Sequence, residues 1–319
     1  MKNRIAVSII CNAYDHGPYI RDALDGFLKQ KTDFAYEVLV HDDASTDNTA
    51  EIIREYEAKY PEIIKAIYQK ENQYSQGINI IFKYQAPRIN GKYVACCEGD
   101  DYWTDPDKLQ KQFDAMESHP DVDMCAHAAM RRRAGDGKRI GPIAPSDSET
   151  IFDTETVIRG GGDFVATNTL FFRSGLVTNP PAFRIKCPLD YALQIHGSMR
   201  GGMLYLPDDM SVYRVSVPGS WTERTGNGEF YVSQAEMIKN MLDMVDLETK
   251  HRYSSVIQER KEQLNFAELE AVGRYEELKK PQYRAIFKDK PLEWKVKYFI
   301  KSNLYFIYEL YKKTKQHKA

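Results

Sequence analysis

The chain has 319 residues, a formal net charge of -2 and a hydrophobic content of 42 %. That is enough apolar chain for one large domain plus a smaller appendage, and it excludes a disordered protein. The even balance of acidic and basic residues gives no footing for nucleic acid as a partner.

Apolar β-branched runs alternate with helical patterns through the first half. Ile5 to Cys11 (IAVSIIC) predicts a strand, and Val38 to Val40, Ile64 to Tyr68 and Tyr93 to Cys97 predict three more. Between them, Pro18 to Lys29 places Ile20, Leu24, Phe27 and Leu28 at helical spacing, with Pro18 suited to the first turn. Asn48 to Tyr60 opens on a capping-box pattern, Asn48 with Glu51, and Asp105 to Glu117 opens Asp-Pro-Asp. Runs apolar on both faces imply a mostly parallel sheet covered on both sides. Strand–helix alternation then predicts an α/β domain with right-handed crossovers. From about residue 130 to 160 the Gly-, Pro- and Ser-rich composition predicts loop and weak strands. Phe164 to Arg173 predicts a strand, and Leu204 to Leu206 and Val212 to Val215 two short ones. Near residue 225 the pattern shifts to long Glu-, Lys- and Leu-rich helices, so the expected division is 1–225 and 226–319.

Cys11, Cys96, Cys97, Cys125 and Cys187 include no CxxC pair and sit mostly in apolar runs. This predicts buried free thiols in a reducing compartment. Neither a signal peptide nor an apolar run of about 18 residues is present, so a cytoplasmic protein is expected.

Two clusters carry chemistry. His41-Asp42-Asp43-Ala44-Ser45-Thr46-Asp47 follows a strand and precedes a helix. In a parallel sheet that is the carboxyl edge, where ligands bind, although Asp and Ser there also cap helices. Glu98-Gly99-Asp100-Asp101-Tyr102-Trp103 has the same setting. Three carboxylates so close repel one another unless a cation sits among them, and hard oxygen ligands favour Mg²⁺ or Mn²⁺ bridging to a diphosphate. Gly99 would let backbone approach a ligand closely. The histidines His16, His41, His119, His127 and His196 lack ligand spacing and are read as structural. No Walker-type, GxSxG or dinucleotide-binding motif occurs.

VSIICNAYDHGPYI, EVLVHDDASTDNTAEII and CEGDDYWTDPDKLQKQ together resemble the three opening motifs of the family 2 inverting glycosyltransferases. The resemblance covers roughly residues 5 to 220 and implies a GT-A fold, a Rossmann-like α/β sheet flanked by helices. It implies that Asn12, Ala13 and Tyr14 line the nucleotide and that Asp43 reads the base. Glu98 and Asp100 match the ends of the DxD motif, with Glu in place of the first Asp. Asp100 and Asp101 are the metal and ribose-diphosphate candidates. Asp190, in Cys187-Pro188-Leu189-Asp190-Tyr191, resembles the family's base, with Leu189 where Glu or Gly usually precedes it; its plain alternative is a helix cap. An inverting transfer is one in-line displacement, so one base and one metal site suffice. In MSVYRVSVPGSW, Ser216 stands where many members have His. Arg214 and Trp221 are candidates for diphosphate and for sugar or acceptor, with a closing strand and loop as the alternative.

The resemblance implies a nucleotide-sugar donor, UDP-sugar favoured, and a saccharide or lipid-linked acceptor in cell-surface polysaccharide synthesis. Residues 288–319 combine nine lysines with many aromatics, a pattern fitting an anionic membrane surface, a packed terminal helix or a homo-oligomer contact. Two rivals stand: a nucleotidyltransferase, which would need a basic Gly-rich loop that CNAYDHGPYI lacks, and a non-catalytic nucleotide-sugar-binding relative, against which Asp100, Asp101 and Asp190 argue.

Overall fold

A computed structural model describes residues 4–303. The chain divides into two compact units, Met1–Glu223 and Arg224–Ala319.

In the first unit, strands β1 (Ile5–Ala13), β2 (Ala35–Asp42), β3 (Ile64–Tyr68) and β4 (Tyr93–Cys96) alternate with helices α1 (Ile20–Leu28) and α2 (Thr49–Lys59). They run parallel in the order β3-β2-β1-β4. Val7, Ile9, Val38 and Val40 are buried with Ile20, Leu24 and Phe27 of α1, the burial that continuous apolar strands require.

The sheet then changes character. β5 (Tyr102–Trp103), β6 (Met124–Arg133), β7 (Arg139–Ile143), β8 (Thr150–Phe152), β9 (Phe171–Arg173) and β10 (Met203–Val215) complete a ten-stranded sheet. β9 lies antiparallel between β4 and β6, and β6 and β10 are parallel to each other. β5 and β8 pair antiparallel with β10, and β7 with β6. Helices α3 (Lys108–Ser118), α4 (Thr154–Gly160), α5 (Gly175–Thr178), α6 (Ala182–Lys186) and α7 (Asp190–Ser198) connect these strands, and α8 (Trp221–Arg224) follows β10.

Several local expectations are corrected. The strand expected over Phe164 to Arg173 forms only as β9, because Thr167–Thr169 is a 3-10 turn. Buried Asn168 holds that turn: its amide donates to the Val212 carbonyl (2.8 Å) and its own carbonyl accepts the Trp103 indole N–H (2.9 Å). The two short strands expected near residues 204 and 212 are one strand, β10, with register shifts between Leu206 and Ser211. β6 is unannounced in sequence, since an Ala-rich start and three terminal arginines carry little strand signal. Asn48 makes no capping bond; Asp47 instead accepts from the Thr49 N–H (2.9 Å) and hydroxyl (2.5 Å). All five cysteines are buried free thiols.

In the second unit, Asn227 caps α9 (Gly228–Glu248) by accepting from the Glu229 and Phe230 N–H groups (2.9 and 3.2 Å). α9 is tied to α10 (Ser254–Ala271) by Lys239 donating to Glu268 (2.9 Å). α11 (Arg284–Asp289) and α12 (Leu292–Asn303) complete a core of Phe266, Leu278, Tyr283 and Tyr298. No helix among the described residues is long and apolar enough to cross a membrane. Of the basic, aromatic stretch 288–319, residues 304–319 lie outside the described residues.

Candidate active site

The carboxyl ends of β1, β2 and β4 share one edge, and backbone hydrogen bonds lace their loops together. The Asp43 N–H donates to the Ala13 carbonyl (2.9 Å), and the Gly99 N–H to the Asn12 carbonyl (3.0 Å). Asp15 accepts from the Thr46 N–H (2.6 Å) and Asp47 from the Gly17 N–H (2.9 Å). Asn12, Ala13, Tyr14, Asp43 and the Glu98–Asp101 turn are thereby brought onto one floor. Gly99 is closely packed: a Cβ there would lie 2.8 Å from Ile20 Cδ1 and 2.9 Å from His16 Nδ1, so a larger residue would make those side chains shift.

Asp43 is buried, and its carboxylate accepts from the backbone N–H groups of Gln73 (2.8 Å) and Tyr74 (3.0 Å). It anchors the segment that leads to Gln85, whose amide reaches back to Asn12 Oδ1 (3.0 Å) and the Leu39 carbonyl (3.2 Å). Ala13 is buried beneath this floor, and Tyr14 is exposed above it.

In the acidic turn Asp100 and Asp101 are 9 % and 3 % exposed, while Glu98 stands at the rim, open to solvent. Asp101 Oδ1 accepts from the Arg214 N–H (2.7 Å). The Arg214 guanidinium donates to the Asp100 carbonyl (2.7 Å), pairs with Asp22, and lies over the rings of Tyr102 (4.4 Å) and Tyr19 (5.1 Å). Arg214 therefore braces the turn from behind. His16 approaches Asp100, Nε2 to Oδ2 4.0 Å. The Glu98 carboxyl is held well above its usual range by loss of hydration and then by Asp100 and Asp190. Because Glu98 faces solvent, the neighbouring charges are the cause that persists there. Asp101 is raised likewise, by burial first and then by Asp100, against the pull of the Arg214 N–H.

Asp190 is the first residue of α7, whose N-cap, Leu189, makes no side-chain cap bond. It is half-buried, and its Oδ2 accepts from the Thr167 hydroxyl (2.5 Å). Loss of hydration pushes its pKa up to about 6, against the lowering pull of that hydroxyl and of the Tyr191 N–H. Tyr213 on β10 is raised by burial and then by the charges of Asp101, Asp190, Glu98 and Asp100, so all four carboxylates act on one phenol. Trp221 opens α8 half-exposed, and Ser216 takes a left-handed φ of 61°.

Among the described residues no three His, Cys, Asp or Glu side chains form a complete cation cage. A Mg²⁺ or Mn²⁺ shared with a diphosphate needs only one or two protein carboxylates. The neighbouring carboxylates of Glu98, Asp100 and Asp101, of which Glu98 and Asp101 are raised by loss of hydration and then by the adjacent acids, fit such a hard cation. Sequence reasoning missed Thr167, Gln85 and Tyr213, and set His16 aside as structural because the histidines show no ligand spacing. His16 lies inside the first motif, the one signal that pointed to it.

A parallel half-sheet with an acidic turn on its carboxyl edge, continued by a mixed half that brings in a facing carboxylate, defines a GT-A glycosyltransferase. The chain belongs to glycosyl transferase family 2, whose profile matches residues 8–176. An uncharacterized protein of Mycobacterium tuberculosis is 34 % identical over 253 residues, 79 % of this chain and 71 % of that one. The putative teichuronic acid biosynthesis glycosyltransferase TuaG of Bacillus subtilis is 36 % identical over 110 residues, 34 % of this chain and 41 % of that one. Among solved structures, S. aureus TarS 1–349 in complex with UDP-GlcNAc has a TM-score of 0.59 at 17 % identity, covering 93 % of this chain and 79 % of that one. The mannosyltransferase PcManGT of Pyrobaculum calidifontis, in complex with GDP-Man and Mn²⁺, has a TM-score of 0.54 at 15 % identity, covering 89 % and 79 %.

Proposed function

We propose that this glycosyltransferase moves a sugar from a nucleoside diphosphate donor, a UDP-sugar for preference, onto a hydroxyl of a saccharide or lipid-linked acceptor with inversion. Synthesis of a cell-surface polysaccharide is the setting. The observation that carries the reading is an acidic turn on the carboxyl edge of the sheet with Asp190 near enough for its charge to act on Glu98 and, with the turn, on Tyr213. The nucleotide-sugars bound by TarS and PcManGT, and the name of TuaG, agree with it.

In this reading Asn12, Ala13 and Tyr14 line the nucleotide and Asp43 accepts from the base. Asp190 takes the proton of the acceptor hydroxyl as its oxygen bonds to the anomeric carbon. The bond from that carbon to the diphosphate oxygen breaks on the opposite face, and its electron pair leaves with the nucleoside diphosphate. Asp100 and Asp101, with Glu98 at the rim, would hold Mg²⁺ or Mn²⁺, which when bound neutralises the leaving diphosphate. Arg214 keeps the turn in place behind them, and Trp221 is the candidate wall for sugar or acceptor. Calorimetric titration with UDP, GDP and dTDP, with and without Mn²⁺, tests the reading. Metal-dependent binding of one of them is expected; no binding of any, metal present, overturns it.

The same proposal includes a peripheral site of work at the inner membrane face. On α12, Leu292, Val296, Phe299 and Ile300 are 77 %, 50 %, 60 % and 37 % exposed at a spacing that puts them on one face. Lys288, Lys290, Lys295, Lys297 and Lys301 accompany them. Phe299→Asp should abolish flotation with phosphatidylserine vesicles. If the variant floats like wild type the membrane role fails, and if it instead splits a dimer the face is a homo-oligomer contact.

A further inference from the structure

Arg184 on α6 is 5 % exposed, and its Nε is buried without a hydrogen-bond partner. Among the described residues nothing accepts from its guanidinium, and no carboxylate lies within ion-pair distance. Its one close neighbour of note is the ring of Phe82, 5.5 Å away. Two other buried charged residues in this fold are provided for. Glu37, fully buried, accepts from the Ser8 hydroxyl (2.7 Å), Lys65 (2.7 Å) and the Asn90 N–H (3.0 Å). Lys108, also fully buried, donates to Gln112 (2.6 Å) and lies over the Trp103 ring (3.9 Å).

A buried arginine whose Nε has no acceptor is unfavourable, its charge cannot be shed as a lysine's can, and the two terminal nitrogens are left for a ligand or water to satisfy. Burial lowers it only to about 10, so it stays charged at neutral pH. Its charge is felt by Cys96, two residues before Glu98, by Cys187 and by Asp190. The group, on the helix that immediately precedes α7, is thus within electrostatic reach of the end of β4 and of Asp190. Its planar fork of donors matches a phosphate.

We infer that Arg184 forms an anion subsite beside Asp190 that takes a phosphate of the substrate, carried either by the donor's diphosphate or by the acceptor. The inference rests on the glycosyltransferase reading above. Wild type and Arg184→Gln are titrated, in Mn²⁺, with whichever of UDP, GDP or dTDP binds and with its nucleoside. Inorganic phosphate is then titrated into the nucleotide-saturated proteins. If the donor supplies the phosphate, Arg184→Gln weakens the nucleotide by about tenfold or more and leaves the nucleoside unchanged. If the acceptor supplies it, the nucleotide is unaffected, and the phosphate that binds saturated wild type no longer binds the variant. Arg184→Lys, which keeps the charge without the fork, recovers part of the loss in either case and stands in should Arg184→Gln fail to fold. Nucleotide and phosphate binding both at wild-type strength in the variants overturn the inference. A wild type that binds no nucleotide sinks the broader reading instead, and the phosphate titration of the nucleotide-free proteins then decides on Arg184 alone.

Discussion

The two halves of the first unit hold the site by different means. At the ends of β1, β2 and β4 the loops are laced by their own backbones, as in Asp43 N–H to Ala13 and Gly99 N–H to Asn12. Around β9, β6 and β10 the acting groups hang on single side chains from far along the chain. Thr167 holds Asp190, and Asn168 ties Val212 to Trp103. The first half is a cradle held by many contacts at once; the second is a set of individually placed groups. Substitutions in the second half should therefore alter rate, and those in the first should alter binding and stability.

The sharpest break of this contrast is Asp190→Asn. Loss of a general base costs about 10²- to 10⁴-fold, and kcat should fall in that range. The Kd for the nucleoside diphosphate should stay within about twofold of wild type, since no ground-state contact to the donor is removed. Single-turnover transfer together with calorimetry measures both. Unchanged turnover would remove Asp190 as the base.

The same contrast explains what the sequence could reveal. Asp43, Glu98, Asp100 and Asp101 sit at strand–loop–helix junctions, where apolar runs and turn chemistry mark the carboxyl edge within a dozen residues. Asp190 was legible only through resemblance, because its geometry depends on Thr167, which is 23 positions away in sequence. Thr167 itself lay inside an apparent strand, FVATNTLFFR, whose apolar pattern conceals a turn fixed by the burial of Asn168. Arg214 was readable as a site residue but not as a brace, since Asp22 and the Asp100 carbonyl are distant partners. β6 escaped because burial in the middle of a sheet lets Ala and His form a strand that propensity does not favour.

Asp43→Ala probes the cradle. The carboxylate accepts two backbone N–H groups at 2.8 and 3.0 Å, and removing it leaves both without their partner. Hydrogen bonds to a charged group contribute about 1.5–3 kcal/mol each, so a loss of about 3 kcal/mol in urea unfolding is expected. Amide exchange at Gln73 and Tyr74 should quicken and donor KM should rise, with kcat nearly kept. A fall in kcat without loss of stability would place Asp43 among the individually acting groups and blur the division between the halves.

Thr167→Val is the subtlest test, because it removes one hydroxyl and keeps the shape. The hydroxyl donates to Asp190 and so favours its charged form; without it the Asp190 pKa moves up from about 6. A base must be deprotonated to act, so wild-type kcat/KM should fall as pH drops through about 6, and the variant should begin to fall at higher pH. A displacement of about one pH unit corresponds to the 1.4 kcal/mol or so that one charge-assisted hydrogen bond contributes. At pH 8 the two enzymes should converge, whereas near pH 6 the variant should be several-fold slower, and Thr167→Ser should restore the wild-type profile. A uniform loss at every pH would mean that Thr167 only holds the 3-10 turn in shape, and the second half would then be organised by packing, as the first is by its backbone.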